Sequence, residues 1–308
     1  MIRLGVDIRF IRSKGDFMSR LSSAFLRSRA VKVAAGAAIA LGALTPVAFA
    51  VGDTSAPNVP APPAVPARAA QIQNIDQVKT AIKGYYGDTV SNQVDPVPNN
   101  IDGGDVFLHF ASATSSYHNE MRKLVSQEKA YLDLQADNPS SFDGKMPAIV
   151  LDVDDTTLNT YSYEIYSNFV FNPTTNAAFV NAGVFPAVFY MPSLARRAAH
   201  DGYSIFYLTG RPESQRAGTV ANLVSAGYAA PDAAHLFMRN KDASAPAYLP
   251  CDATPPYCTT DQYKSMTRAH IEDLGYQITD NFGDQFSDLS LGHEKRATKL
   301  PNPMYFLP

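Results

Sequence analysis

The chain has 308 residues, 45% of them hydrophobic and 18% charged, with a formal net charge of −3. That length suits one or two domains, and that apolar content excludes a largely disordered chain. Residues 1–50 hold eight basic and two acidic groups, so the remainder carries 18 basic and 27 acidic residues, a formal charge of −9, which argues against a nucleic acid polymer as a main partner.

The N-terminus reads as a signal peptide over residues 1–50. A basic segment runs from Arg3 to Lys32, an apolar run from Val33 to Leu44, and a small-x-small site ends at Ala50, after which cleavage is expected. The apolar run is short for a span and Pro46 interrupts its end, so no stable membrane anchor is expected and the mature protein is read as secreted or extracytoplasmic. Met18 offers a second start inside the long basic segment. Residues 51–71 are Pro/Ala-rich and read as an extended linker.

Residues 72–145 carry two helical patterns, one over Ile72–Tyr86 and one from about Ala111 to Gln135. In the second, Tyr117, Met121, Leu124, Val125 and Tyr131 recur at helical spacing, and the whole segment reads as a helical prelude. His109 and His118 read as structural.

From Met146 short apolar runs alternate with amphipathic helices. Strands are expected at Pro147–Val153, Tyr203–Gly210, Ala234–Arg239, within "YQITDNFGD" and in the closing "PMYFLP". Alternation of this kind predicts an α/β domain over residues 146–308, a Rossmann-like parallel sheet of about five strands with helices on both faces. Over about residues 160–192 the alternation pauses in an aromatic-rich insert, read as a cap beside the first strand end. Its Tyr161, Tyr163 and Tyr166 either stack a substrate base or pack as cap core. Cys251 and Cys258 are the two cysteines, and in an exported chain they are expected to form a disulfide.

Ligands of parallel sheets bind at the carboxyl ends of the strands. Asp152, Asp154, Asp155 and Thr156 follow the first strand, and Thr209, Gly210 and Arg211 the second. Lys264 lies on the helix after the cysteine pair, and Asp284 and Asp288 follow the fourth strand. Positions two apart on a strand share a face, so Asp152 and Asp154 point together and Asp155 away. Two carboxylates on one face repel unless a cation lies between them or one holds a proton. Mg²⁺, which takes hard oxygen ligands, suits the first case, and a general acid the second. With the Thr209 hydroxyl and the Lys264 ammonium added, the set describes a phosphoryl site.

These residues resemble the motifs of the haloacid dehalogenase superfamily of phosphatases. "DVDDT" at Asp152–Thr156 is similar to its first motif, Thr209 in "FYLTGR" to its second, Lys264 in "YKS" to its third and "GDQFSD" to its fourth. "LDVDDTTL", "LTGRPE", "YKSMTRAHIEDLGYQI" and "KLPNPMYF" narrow the resemblance to the acid phosphatase branch, with the plant vegetative storage proteins and class C bacterial acid phosphatases. It implies a Mg²⁺-dependent hydrolase of small phosphate monoesters. Asp152 is the implied nucleophile and forms an aspartyl-phosphate, and Asp154 is the acid and base. Mg²⁺ is held by Asp152, the Asp154 backbone carbonyl and Asp284, with Asp288 as ligand or as partner of one. Thr209 and Lys264 neutralise the phosphoryl oxygens. Asp155, Thr156, Gly210 and Arg211 support them, Arg211 either by touching substrate or by a structural ion pair. Lys241 in "RNKDAS" is a second candidate for the third motif. The alternatives are a storage or binding protein on the same fold and a phosphotransferase.

Overall fold

The computed structural model describes Val59, residues 62–97 and residues 101–307. The predicted signal peptide and its cleavage site lie outside the described residues, as does most of the first half of the predicted linker. Helix α1 (Ile75–Tyr86) starts where Asn74 accepts a hydrogen bond from the Asp76 backbone N–H, and it ends at Gly87 in the left-handed conformation, φ +63°. Strands β1 (Thr89–Val94) and β2 (Phe107–Phe110) form an antiparallel pair. The prelude is therefore not purely helical. The sequence of β1, "TVSNQV", lacks an apolar alternation because nearly all of it is exposed, so no period-2 signal marks it. Helix α2 (Ser116–Ala136) begins at the Ser115 cap, and its buried face includes Tyr117, Met121, Val125 and Leu132, at helical spacing.

Strand β3 (Met146–Leu151) is the centre of a five-stranded parallel sheet. The chain continues through α3 (Tyr161–Tyr166), α4 (Pro173–Ala182) and α5 (Met191–His200) to β4 (Ser204–Pro212), then through α6 (Arg216–Ser225) to β5 (Leu236–Arg239). Helix α7 (Thr260–Asp273) leads to β6 (Tyr276–Gly283), and the short α8 (Phe286–Leu289) to β7 (Ala297–Lys299). The sheet order is β5-β4-β3-β6-β7, with Leu151 of β3 beside Tyr207 of β4 and Phe282 of β6. Alternate residues of β3 enter different cores: Ile149 and Leu151 pack in one, Ala148 and Val150 in the other. Burial of Ile149, Val150 and Leu151 contributes about 1.5–3 kcal/mol each, which anchors the strand that carries the aspartates.

One expectation shifts. The fifth strand is Ala297–Lys299, paired with β6 at Asn281 and Phe282, and not the terminal "PMYFLP". Pro303 denies that tail a ladder donor, and Pro301 stands just ahead of it. It folds back instead, with the Tyr305 hydroxyl on Asp155 at 2.9 Å and the Leu307 N–H on Gln285 at 2.7 Å. Helix α7 is capped by Thr259, in a capping box with Gln262.

The insert over residues 160–192 is a packed layer. Tyr161, Tyr163 and Tyr166 are each fully buried. Tyr161 stacks on Tyr86 with ring centroids 4.6 Å apart, and Tyr163 meets Phe179 edge-on at 5.4 Å. Their helical spacing on α3 serves the core, which leaves none of the three rings exposed for stacking on a substrate.

Candidate active site

Three carboxylates meet where the central strands end. The carboxylate oxygens of Asp152, Asp284 and Asp288 lie within 4.8 Å of one another, and all three residues are buried. The backbone sets this up. The Asp152 N–H donates to Phe282 O at 3.0 Å, which holds the end of β3 level with the end of β6. Asp284 follows β6 directly. Asp288 lies on α8 and accepts from the Gln285 N–H at 3.0 Å. Gly283 makes the turn between them possible, because a Cβ there would come within 2.3 Å of the Asp288 Cβ.

Lys264 reaches into the group from α7. Its Nζ lies 2.5 Å from Asp152 Oδ1, 3.1 Å from Asp288 Oδ1 and 2.6 Å from the Leu208 carbonyl. Burial works against its charge, but Asp152 and Asp288 outweigh that and push its pKa up to about 12. Asp152 is driven well above the usual carboxylate range by burial; Lys264 opposes this, while Asp288, Asp284 and Asp154 add to it. Burial, with the charges of Asp288 and Asp155, pushes Asp284 up to about 7. Fully ionised, the three carboxylates and one ammonium would carry an excess of two negative charges, which a buried volume holds only with protons or a cation. Hard oxygen donors at this spacing with that excess fit a divalent cation.

Asp154 stands apart from this trio. Its carboxylate is about one-third exposed and accepts two hydrogen bonds from Arg211, with Nη2 at 2.6 Å and Nε at 3.0 Å. The Arg211 guanidinium also donates to Thr219 at 3.0 Å. Of the two roles open to Arg211 in the sequence, the structure contains the ion pair. Asp155 turns away, with φ +54°, and is buried. It accepts from the Thr160 N–H at 3.0 Å, the Thr160 hydroxyl at 2.5 Å and the Tyr305 hydroxyl at 2.9 Å. It thus ties the start of α3 to the C-terminal tail.

Thr156 donates to Asp284 Oδ1 at 3.2 Å. Thr209 is fully buried, and its Oγ1 accepts the Arg211 N–H at 3.2 Å. The Thr209 hydroxyl proton has no acceptor among the described residues. Gly210 is exposed and a Cβ there meets nothing within 4 Å, so its lack of a side chain is not a steric requirement. Lys241, the other lysine considered, is exposed and lies over the Tyr257 ring, away from the trio. Cys251 and Cys258 are joined in a disulfide in the connection before α7. A surface groove of about 560 Å³ lined by Asp76, Lys79, Lys83 and Phe169 holds none of the site residues.

Sequence reasoning missed several contributors. Gln285 and Asn302 donate to Asp284 Oδ2 at 2.6 and 2.7 Å, which fixes how that carboxylate faces the cluster. Arg268 and Asn281 hold the Asp288 carbonyl at 2.6 and 2.9 Å. Asn302 and Tyr305 both fall in "KLPNPMYF", a signal visible in the sequence but carrying no role there.

Residues 107–308 match the family described as HAD superfamily, subfamily IIIB (Acid phosphatase). Acid phosphatase 1 of Solanum lycopersicum is 35% identical over 163 residues, covering 51% of this chain and 58% of that protein. The stem 28 kDa glycoprotein of Glycine max is 34% identical over 163 residues, 51% of this chain and 59% of that protein. The chain thus matches less than two thirds of the length of these relatives. The class C acid phosphatase structure from Bacillus anthracis superposes with a TM-score of 0.48 at 20% identity, over 63% of this chain and 80% of that one.

Proposed function

The chain belongs to the acid phosphatase family, subfamily IIIB of the HAD superfamily, and from that premise we propose that it hydrolyses phosphate monoesters through a phosphoaspartate on Asp152. The observation that carries this reading is the buried trio Asp152, Asp284 and Asp288 with Lys264 in its midst and Asp154 two residues beyond the nucleophile. Lys264 holds one oxygen of Asp152, and the other makes no hydrogen bond among the described residues, which leaves it to attack phosphorus. The P–O bond to the leaving group breaks as the Asp152–phosphorus bond forms. Asp154 gives its proton to the leaving oxygen and then takes one from the water that releases phosphate. Because Arg211 grips both oxygens of Asp154, proton transfer needs one of them to turn from the guanidinium toward the leaving group. The Thr209 hydroxyl and Lys264 face the charge on the transferring oxygens. Asp152, the Asp154 backbone carbonyl and Asp284, with Asp288, are the ligands assigned to Mg²⁺, which when bound supplies Lewis-acid stabilisation of the phosphoryl charge.

The test is hydrolysis of 4-nitrophenyl phosphate by the purified protein. Turnover is expected with Mg²⁺ and is expected to vanish in excess chelator. Asp152→Asn is expected to abolish turnover while the melting temperature holds. Wild-type rates from that variant contradict the covalent reading, and indifference to chelator contradicts the metal assignment.

We read the protein as exported. The Cys251–Cys258 disulfide supports this, since such bonds persist in oxidising compartments. No helix among the described residues is long and apolar enough to cross a membrane. Sequencing the exported protein is expected to begin at Val51, and an N-terminus at Met1 or Met18 contradicts cleavage.

A further inference from the structure

The loop closed by the Cys251–Cys258 disulfide holds a buried acid that the phosphatase mechanism does not use. Asp252 is fully buried inside that loop. It forms a two-pronged ion pair with Arg239 at the end of β5, Oδ2 to Nε at 2.9 Å and Oδ1 to Nη2 at 2.8 Å. Asp252 Oδ1 also accepts the Cys258 N–H at 3.2 Å, and Arg239 donates to the Cys258 carbonyl. The ion pair is therefore bonded to the backbone of one of the two linked cysteines.

A buried ion pair gains little stability over apolar packing, because desolvation offsets its attraction. What this one fixes is geometry. The Arg239 guanidinium lies over the Tyr263 ring, 5.0 Å from its centroid. Tyr263 is buried on α7 and donates its hydroxyl to the Thr209 carbonyl at 3.0 Å. The next residue, Lys264, donates to the Leu208 carbonyl at 2.6 Å. Two consecutive residues of α7 thus take two consecutive carbonyls of β4. The residues so joined include both groups assigned to the phosphoryl oxygens, the Thr209 hydroxyl and the Lys264 ammonium. None of the residues assigned to Mg²⁺ is hydrogen-bonded to Asp252, Arg239 or Tyr263 among the described residues.

We propose that Asp252, Arg239 and Tyr263 are positioning residues for the phosphate-binding side of the site, and that the disulfide anchoring them makes phosphate affinity depend on its oxidation state. This rests on the phosphomonoesterase reading above and adds a regulation to it. A dithiol reductant passes two electrons and two protons to the sulfurs. The S–S bond breaks to leave two thiols, and the dithiol closes to its own disulfide. With the loop open, Asp252 is no longer held against Arg239, and Tyr263 loses the cation that seats its ring.

The test compares two constants in the full protein, at a temperature where circular dichroism shows the reduced chain folded. One is the inhibition constant of inorganic phosphate against 4-nitrophenyl phosphate, and the other is the Mg²⁺ concentration for half activation. Tyr263→Phe keeps the ring under Arg239 and removes the hydrogen bond to Thr209. It is expected to raise the phosphate constant about fivefold to tenfold, the size of one buried hydrogen bond, and to leave half activation by Mg²⁺ unchanged. Asp252→Asn keeps the shape and the disulfide, and is expected to raise the phosphate constant in the same way. Dithiothreitol is expected to raise it at least about fivefold in the wild type, and reoxidation to restore it. In Tyr263→Phe the same reduction is expected to add less than about twofold, because the link is already cut. A wild-type phosphate constant in Tyr263→Phe overturns the inference. So does a folded, reduced wild type with an unchanged constant, effects of reduction and substitution that multiply in full, a Mg²⁺ requirement that shifts as far as the phosphate constant, or a reduced chain that folds at no temperature where the oxidised enzyme works. Absence of turnover from the oxidised wild type overturns the phosphatase reading itself, and the inference with it.

Discussion

In the proposed role of general acid, Asp154 matters only where the leaving oxygen needs a proton. For Asp154→Asn a kcat/KM loss of about 10²–10⁴ is therefore predicted with an alkyl phosphate, the range of general acid catalysis, and a clearly smaller kcat/KM loss with 4-nitrophenyl phosphate, whose phenolate leaves unaided, because kcat/KM reports formation of the phosphoaspartate and not the water step that the two esters share. Equal losses, measured side by side, contradict the acid role. One position along, Asp155 does unrelated work: three hydrogen bonds at φ +54° make it a tie between α3 and the tail. Asp155→Ala is predicted to cost about 1–3 kcal/mol in denaturant unfolding, because it orphans buried donors; a stability within a few tenths of wild type counts against the tie. The expected strand alternation set positions 152 and 154 apart from 155; in the structure β3 ends at Leu151, and the turn at Asp155, φ +54°, is what sends it away. The sequence did not reveal the partners of Asp284. Thr156 is 128 residues away from it in sequence, and Asn302 arrives on an irregular tail. Such contacts leave no periodicity to read.

Among the elements, β3, β4, β6 and α7 were legible because each combines an apolar run or helical pattern with turn residues at its ends. The hairpin β1–β2 was not, since its exposed residues carry no alternation, and β7 was hidden by its three-residue length. The turn from β6 into α8 depends on Gly283, where a Cβ would meet Asp288 at 2.3 Å. Gly283→Ala is predicted to displace Asp288 and to weaken Mg²⁺ activation at least about tenfold, in line with the loss of a well-held ligand or its support. Unchanged Mg²⁺ dependence contradicts that role for Asp288. The Cys251–Cys258 link closes a loop of separation 7 just ahead of the helix that carries Lys264. By chain entropy such a loop contributes about 2 kcal/mol, so reduction is expected to lower the melting temperature, read by circular dichroism with and without reductant.

For the molecule as a whole, the buried acids dictate how stability follows pH. Burial pushes Asp155 and Asp284 up to about 7, against about 4 in an unfolded chain. Below about 4 both states hold these protons and the stabilisation is complete. As pH rises toward 7 the unfolded chain releases protons that the folded one must keep, and the stabilisation is lost. Without divalent cation the protein is predicted to melt highest in acid, its Tm falling between pH 4 and 7. Added Mg²⁺ is predicted to reduce that fall by replacing the protons on the cluster. A cation-free Tm that rises over the same interval contradicts this. The proposed phosphoaspartate is defined by one bond, between an Asp152 oxygen and phosphorus. It is tested most directly by mixing Asp154→Asn with 4-nitrophenyl phosphate and Mg²⁺, quenching in acid and mapping the peptides by mass. Phosphate is expected on Asp152, since that leaving group departs without an acid while the water step lacks its base. Turnover of the ester with no phosphate on Asp152 at any quench time would contradict it.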